Sequence, residues 1–199
     1  MAQLSGFFDD ADETAVGAHR PYVEPEWQRI PHEVLPTQLP LNGLLAHGRD
    51  IALVLTTVTV YPTGLVFSVR AVRHPEAEGF DHDLSGAMHA FSNPTSADRF
   101  RLGIEYADGR RATNDFPGGA SGPHPPETVL RDLGGGGSAD GAGATYWAWP
   151  IPADGDLEIV YAWPGRDVPE GRYTLDGATL RAAAAAATPV WPATDAASS

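Results

Sequence analysis

Apolar and polar residues alternate along four stretches of the chain, and each stretch is interrupted by a triplet that ends in glycine. These triplets are Pro62–Gly64, Ala107–Gly109, Ala153–Gly155 and Pro169–Gly171. A three-residue hairpin loop combines a type I turn with a left-handed residue, and glycine adopts the left-handed conformation without steric cost. The pattern therefore predicts four β-hairpins in an antiparallel, all-β chain.

The first predicted hairpin has the strongest β pattern. Residues 51–61 and 65–72, on either side of the first triplet, are rich in β-branched side chains. With the triplet as the loop, Tyr61 lies opposite Leu65, and both faces of the hairpin are largely apolar. Strands that are apolar on both faces are usually covered on both, so we expect the proline-rich residues 21–43 to supply the second cover.

Two patterns support the second predicted hairpin in one register. Four residues before the Ala107–Gly109 loop share an apolar face, namely Phe100, Leu102, Ile104 and Tyr106. On the other face, Glu105 lies opposite Arg111 and Arg101 lies opposite Asp115. Directly opposed unlike charges stabilise a strand pair by up to roughly 1 kcal/mol. A shift of one residue would lose both the apolar face and the charge pairs.

The third predicted hairpin, over residues 144–163, contains the densest group of aromatic side chains, namely Tyr146, Trp147, Trp149, Tyr161 and Trp163. Its triplet sets a register in which Trp147 lies opposite Tyr161 and Trp149 lies opposite Ile159. Pro150 and Pro152 cannot donate ladder hydrogen bonds. We therefore expect residues 146–152 to form an edge strand, or pairing to end at the prolines.

A short fourth pairing over residues 168–175 leads into a predicted C-terminal helix. Asp176 is the expected N-cap, and Leu175 and Leu180 stand at the two positions of a hydrophobic staple. The alanines of residues 182–187 are strong helix formers. The sequence thus predicts one short helix that closes the domain.

Together these elements predict one antiparallel β-sandwich of about seven or eight strands, immunoglobulin-like in general form, with the helix across one end. The sandwich is expected over residues 44–192. Residues 1–43 are expected to form an acidic, proline-rich and partly disordered arm, and residues 193–199 a loose tail. Residues 117–143, which include the run Gly134–Gly137, are predicted to be a flexible loop.

Composition narrows the range of partners. The formal net charge is −13, and cysteine is absent. An acidic chain repels nucleic-acid phosphates and anionic membrane surfaces, so neither is an expected partner. The absence of cysteine rules out disulfides, thiol catalysis and zinc–thiolate sites. Neither a signal peptide nor a membrane-spanning apolar run is visible, and a soluble, cytoplasmic protein is expected.

The aromatic residues leave two interpretations open. Trp147 and Trp149 project from one side of a strand, about 7 Å apart, a spacing suited to stacking on sugar rings. The same residues, with Trp163 and Tyr146, would equally fill one layer of a sandwich core, and large exposed apolar patches are uncommon. Trp27 in the acidic arm, together with Phe7 and Phe8, would either lie on the domain or anchor a partner. The candidate contact residues are Trp147, Trp149, Trp163, Tyr146 and Trp27.

Catalytic signals are weak. Asp81, His82, Asp83 and His89 are residue types that bind metals, but their spacing matches no standard metal motif. Gly119–Gly122 contains a serine between glycines, yet it does not follow the strand-to-helix pattern of a nucleophile elbow. We therefore predict no catalytic residue, no metal site and no cofactor.

Several short blocks together resemble a family of uncharacterised actinobacterial proteins. The blocks are residues 60–64, 99–103, 106–114, the glycine run, 147–152, 162–164 and 168–170. The resemblance implies a domain found in soluble bacterial proteins. It implies no activity, cofactor or catalytic residue.

Three functional hypotheses follow, in order of support. The first is a non-enzymatic protein-interaction module, with residues 146–152 as an exposed edge strand or with the acidic arm as the contact region. The second is a carbohydrate-binding module that uses the aromatic strip. The third is a metal-dependent hydrolase that would rest on the loop containing Asp81 and His89. The sequence leaves the oligomeric state open.

Overall fold

A computed structural model describes residues 24–77, 84–89, 98–114 and 127–191. These residues form twelve strands, two α-helices and one short 3-10 helix, where the sequence predicts seven or eight strands. In chain order the elements are β1 (Val34–Leu35), β2 (Thr37–Leu39), β3 (Gly43–His47), β4 (Ile51–Val60), β5 (Leu65–Arg73), α1 (Leu84–Met88), β6 (Arg101–Tyr106), β7 (Arg111–Thr113), β8 (Val129–Ser138), β9 (Gly141–Trp149), β10 (Leu157–Trp163), the 3-10 helix Pro164–Arg166, β11 (Val168–Leu175), α2 (Gly177–Ala185) and β12 (Thr188–Pro189).

Two antiparallel sheets organise the described residues. The larger sheet has the order β2-β4-β5-β9-β8, and β3 pairs with β4 beside β2. The smaller sheet has the order β11-β10-β6-β7. A separate two-stranded ribbon joins β1 to β12.

The inner faces of both sheets contribute to one hydrophobic core. Leu53, Phe67 and Tyr146 come from the larger sheet, and Ile104 and Trp163 come from the smaller one. All five are almost fully buried. The prediction of an antiparallel, all-β, sandwich-like domain is confirmed.

The first hairpin forms, but its predicted register is wrong. Val60 rather than Tyr61 lies opposite Leu65, and the Tyr61 amide donates to the Gly64 carbonyl at 2.8 Å across a four-residue loop. An irregularity between Leu55 and Thr57 changes which side chains point inward. Glycine is required at position 64 because the backbone passes close to an indole ring. A Cβ there would lie 2.5 Å from Trp147 Cη2.

The second hairpin has the predicted register. Glu105 pairs with Arg111, and Ile104 pairs with Ala112. Gly109 is left-handed, with φ of 85°. Asp115, the predicted partner of Arg101, lies outside the described residues.

The prediction of a third hairpin is wrong, because its two strands belong to different sheets. β9 pairs with β5 and β8, whereas β10 pairs with β6 and β11. Residues 150–156 therefore cross between the sheets. The predicted edge strand is also wrong, since β9 is central in its sheet. The expectation that pairing ends at Pro150 is confirmed, because β9 ends at Trp149.

The fourth pairing forms with a different loop. β10 and β11 are joined by the 3-10 helix and Asp167, which is left-handed with φ of 58°. Gly171 lies within β11 and not in a loop. A Cβ there would lie 2.5 Å from Tyr161 Cζ, so glycine is needed beneath the tyrosine ring.

The glycine run is a strand, so the loop predicted over residues 117–143 is wrong in its described part. Gly136 pairs with Gly143, and Ser138 pairs with Gly141, which makes β8 and β9 a hairpin with a two-residue turn. A Cβ at Gly135 would lie 1.9 Å from the Gly143 carbonyl oxygen. Glycine therefore lets two backbones approach closely here.

The predicted C-terminal helix is confirmed as α2, with its cap. The Asp176 carboxylate accepts hydrogen bonds from the Thr179 amide at 2.7 Å and the Thr179 hydroxyl at 2.5 Å. Leu175 and Leu180, the staple residues, are both buried. The cap and the staple together define where the helix begins.

Replacing Asp176 with alanine is expected to lower the urea midpoint of unfolding near neutral pH. The hydroxyl and amide of Thr179 lower the pKa of Asp176. The stabilisation is therefore present above the ordinary carboxyl pKa of about 4, and it is lost as the pH falls through the lower pKa of the folded state. Urea unfolding of both proteins from neutral to strongly acidic pH checks this. A difference that stays constant across that range would contradict the cap's role.

Candidate functional site

The aromatic residues predicted from the sequence divide between two buried clusters. Trp147 faces away from the main core and is fully buried beneath Trp27, which is itself 6% exposed. The Trp147 indole N–H donates to the Trp27 carbonyl at 2.9 Å, and Tyr61 packs edge-on at 6.0 Å between ring centroids. Trp149 is half-buried against the same cluster. The expected second cover of the hairpin is therefore present, supplied by the segment that contains Trp27.

Tyr146 and Trp163 lie in the main core. The Trp163 indole N–H donates to the Asp98 carbonyl at 2.8 Å, and the Tyr146 hydroxyl donates to the Met88 carbonyl at 3.3 Å. Burial raises the pKa of Tyr146 above its usual value, and the nearby Asp132 carboxylate raises it further. Of the five candidate residues, Trp149 alone has appreciable exposed surface. The aromatic group thus presents no open strip for a sugar ring.

His89 is the one described member of the predicted metal-binding group, since Asp81, His82 and Asp83 lie outside the described residues. Its Nδ1 lies 3.0 Å from Asp132 Oδ2, and the side chains are 12% and 8% exposed. The second Asp132 oxygen accepts from the Gly134 amide at 2.7 Å. This pair fastens α1 to β8. Within the described ranges, no three His, Asp or Glu side chains converge as metal ligands would.

The free edge of β8 is one of the two edges of the described larger sheet. β8 pairs with β9 on one side, and no described strand pairs with its other side. Residues 133–138 are largely exposed and contain neither a charge nor a proline. The outer strand β7 is only three residues long, and β11 carries Pro169 with flanking charges. Short strands, charges and prolines protect edges from pairing, and the free edge of β8 lacks all three.

A shallow groove of about 430 Å³ lies beside this edge, on the outer face of the larger sheet. Its floor contains Gly136, Gly143, Ser68 and Thr145, and Arg70 stands at its side. The Ser68 and Thr145 hydroxyls are hydrogen-bonded to each other at 2.9 Å. Small side chains thus leave this half of the face open, whereas Trp27 and Trp147 cover the other half.

Arg70 provides the charge in this groove. It is exposed and makes no ion pair with any carboxylate of the described chain. By contrast, Arg131 on the same face pairs with Glu24 at 3.2 Å. On the smaller sheet, Arg172 pairs with Glu105 at 2.9 Å and with Glu158 at 2.8 Å. Among the described residues, the groove therefore presents a cation without a carboxylate partner, on a protein whose net charge is −13.

The sequence contains one signal for this site that the flexible-loop prediction missed. Two stretches of small residues, Gly134–Ser138 and Gly141–Ala144, flank the dipeptide at 139–140. A two-residue connection between matched stretches is typical of a hairpin. Glycine is disfavoured in strands, and that propensity obscured the symmetry.

Comparison with known proteins gives no match: no family model, no curated protein and no solved structure aligns significantly with this chain. Among the helices of the described residues, none has the length and apolar character needed to cross a membrane.

Proposed function

We propose that this protein is a non-enzymatic protein-interaction module whose contact surface is the free edge of β8 together with the adjoining groove. The observation that carries the proposal is the exposed, uncharged edge over residues 133–138, with which no other strand of the described ranges pairs. Unpaired N–H and C=O groups at a sheet edge pair readily with an incoming extended segment, and this strand addition is a recurrent mode of peptide recognition. The partner is therefore an extended segment of another protein.

The use of buried polar groups in the described chain also supports a scaffold role. Asn114 Oδ1 accepts from the Leu102 amide at 2.9 Å, and Asp132 binds both His89 and the Gly134 amide. Each of these groups fastens one part of the fold to another. The His89–Asp132 pair joins the residue after α1 to β8, the strand that carries the free edge.

We also propose that the sandwich is of the immunoglobulin-like type. If β4, β5, β9 and β8 correspond to strands A, B, E and D, the larger sheet has the ABED order of immunoglobulin domains. β11, β10, β6 and β7 then correspond to G, F, C and C′ in the second sheet. Chain order and sheet order agree under this one assignment, and β1–β3 are additions at the N-terminal side. In this assignment the free edge belongs to strand D.

A displayed library of extended segments tests the proposed surface. Twelve-residue segments are selected on the full chain, and the selected binders are measured against Gly136→Glu. A Cβ at Gly136 meets no atom within 4 Å, so the variant should fold, while its glutamate places a charge on the edge, as charges protect edges in natural sheets. We expect at least a roughly tenfold loss of affinity, which corresponds to about 1.4 kcal/mol of binding free energy.

Arg172→Gln is the matched control, because Arg172 is a charged residue on the outer face of the smaller sheet. Binding to this variant should equal binding to the parent protein. Failure to select any segment, or binders that Gly136→Glu does not weaken, would contradict the proposed function.

A further inference from the structure

Arg70 and the free edge of β8 lie in one row across the outer face of the larger sheet. Arg70 on β5 pairs with Gly143 on β9, and Gly143 pairs with Gly136 on β8. Paired residues in adjacent strands point to the same face. Because the two residues beyond Arg70 are glycines, no side chain stands between the guanidinium group and the position of an added strand.

The distance from β5 to a strand added beside β8 can be spanned by one ion pair between Arg70 and a glutamate on the added strand. A strand added to β8 would lie about 14 Å from β5, which is three spacings of about 4.8 Å. An arginine side chain from one end and a glutamate side chain from the other together cover most of that distance, and an N–H···O hydrogen bond closes the remainder. A shorter side chain on the added strand would leave the guanidinium group unpaired.

We infer that the extended segment recognised by β8 is acidic, with a glutamate opposite Gly136 whose carboxylate pairs with Arg70. This inference rests on the proposed function and adds the chemistry of its partner. Charge complementarity supports it, because no carboxylate in the described part of the chain pairs with Arg70, whereas Arg131 is already held by Glu24. A planar guanidinium group binds carboxylates through two parallel hydrogen bonds, which adds specificity for a carboxylate over an amide.

The floor of the groove leaves room for this contact. A Cβ on Gly136 would meet no atom within 4 Å, so side chains on the outer face of the added strand meet no obstruction there. Ser68 and Thr145 offer hydroxyl groups beside the row. The groove can therefore accept a charged side chain together with water that hydrates its remaining oxygen lone pairs.

Three synthetic strand-forming peptides test the inference on the full chain. They alternate valine and threonine and differ at one central position, which is glutamate, glutamine or lysine. We expect the glutamate peptide to bind about threefold to fivefold more tightly than the glutamine peptide, as for a partly exposed ion pair, and the lysine peptide to bind most weakly. Fluorescence anisotropy at low and at high salt measures the three affinities, and the preference should shrink at high salt.

Two variants of the protein test whether Arg70 causes the preference for the glutamate peptide. Arg70→Gln should bind the glutamate and glutamine peptides equally, while its affinity for the glutamine peptide stays within about twofold of the parent's, as a double-mutant cycle requires. Arg172→Gln should keep the full preference, since Arg172 is engaged with Glu105 and Glu158 on the other sheet. A preference that survives Arg70→Gln would overturn the inference.

Backbone N-methylation separates failure of this inference from failure of the proposed function. Methylating alternate amides on one edge of the peptide should abolish binding, and methylating those on its other edge should not, because one edge alone pairs with β8. If this pattern holds but glutamate and glutamine peptides bind alike, strand addition stands and the acidic partner is wrong. If methylation on either edge has no effect, the proposed function is wrong as well. Peptide affinity that weakens as protein concentration rises would assign the edge to a second copy of the chain, and would overturn the acidic partner.

Discussion

Replacing Trp147 with alanine should lower the free energy of unfolding by about 3–5 kcal/mol, the usual cost of removing a large buried aromatic side chain. Trp147 is fully buried between the larger sheet and the N-terminal segment. Its loss would also leave the Trp27 carbonyl without the indole N–H that it accepts at 2.9 Å. Because Tyr61 packs against the same ring, the remaining side chains cannot easily fill the cavity. Urea unfolding monitored by circular dichroism measures the change.

Trp191→Ala is the matched control, because Trp191 is 75% exposed. Surface substitutions of this kind usually change stability by less than about 0.5 kcal/mol. The loss in free energy of unfolding should thus be several-fold larger for Trp147→Ala than for Trp191→Ala. Equal and small effects would mean that Trp147 lies at the surface, as a sugar-binding platform would require.

Gly135→Ala and Gly136→Ala should have opposite effects, although the two glycines are adjacent. At Gly135 a Cβ would lie 1.9 Å from a backbone oxygen of β9, and neither backbone can rotate away while the strands stay paired. We expect a loss of about 3 kcal/mol, the upper part of the range for overpacked sites. At Gly136 the Cβ points into open space, and alanine should be neutral or slightly stabilising because it restricts the unfolded chain.

The free energies of unfolding of Gly135→Ala, Gly136→Ala and the parent protein, measured in urea, test these two expectations. In a flexible linker, both glycines would tolerate alanine equally. A small effect at Gly135, or a large effect at Gly136, would therefore contradict the register of β8 against β9 on which the candidate site depends.

The elements that the sequence predicts correctly have signals within a few residues of one another. β6 and β7 combine a left-handed glycine with an apolar face and opposed charges, and the register follows from those three together. α2 begins where Asp176 and its staple leucines require. These features arise from local backbone and side-chain preferences, so neighbouring residues suffice to reveal them.

The errors arise where the same local pattern serves two long-range arrangements. β9 and β10 alternate as hairpin strands would, yet they belong to different sheets, because alternation shows which residues share a face and not which strand lies beside them. In β4, one irregularity near Thr56 exchanges the inward and outward positions. A single inserted residue leaves no compositional trace.

The candidate site depends even more strongly on topology. Arg70 is evident in the sequence as a charge within a β-branched strand, but the open path beside it depends on Gly143 and Gly136, more than sixty residues along the chain. Likewise, whether β8 is an edge strand depends on which other strands lie beside it. Neither the space beside Arg70 nor the free edge of β8 can therefore be read from neighbouring residues in the sequence.

On the outer face of the larger sheet, one half stabilises the fold and the other half is open for binding. Trp27 and Trp147 bury one half and stabilise the sheet by removing large aromatic surfaces from water. Around the groove, the other half carries small side chains and Arg70. A stabilised sheet with an open edge can receive an added strand without large rearrangement, which lowers the entropic cost of binding.

Amide hydrogen exchange of the full chain, with and without the glutamate peptide, tests directly whether β8 receives an added strand. The Gly134 amide donates to Asp132, but the other amides of residues 133–138 that face away from β9 have no strand of the described residues to pair with and should exchange quickly in the free protein. We expect that the peptide slows exchange at these amides and leaves the amides of β7 and β11, the outer strands of the smaller sheet, unchanged. Protection on the smaller sheet, or no protection along β8 when the peptide is bound, would contradict this expectation.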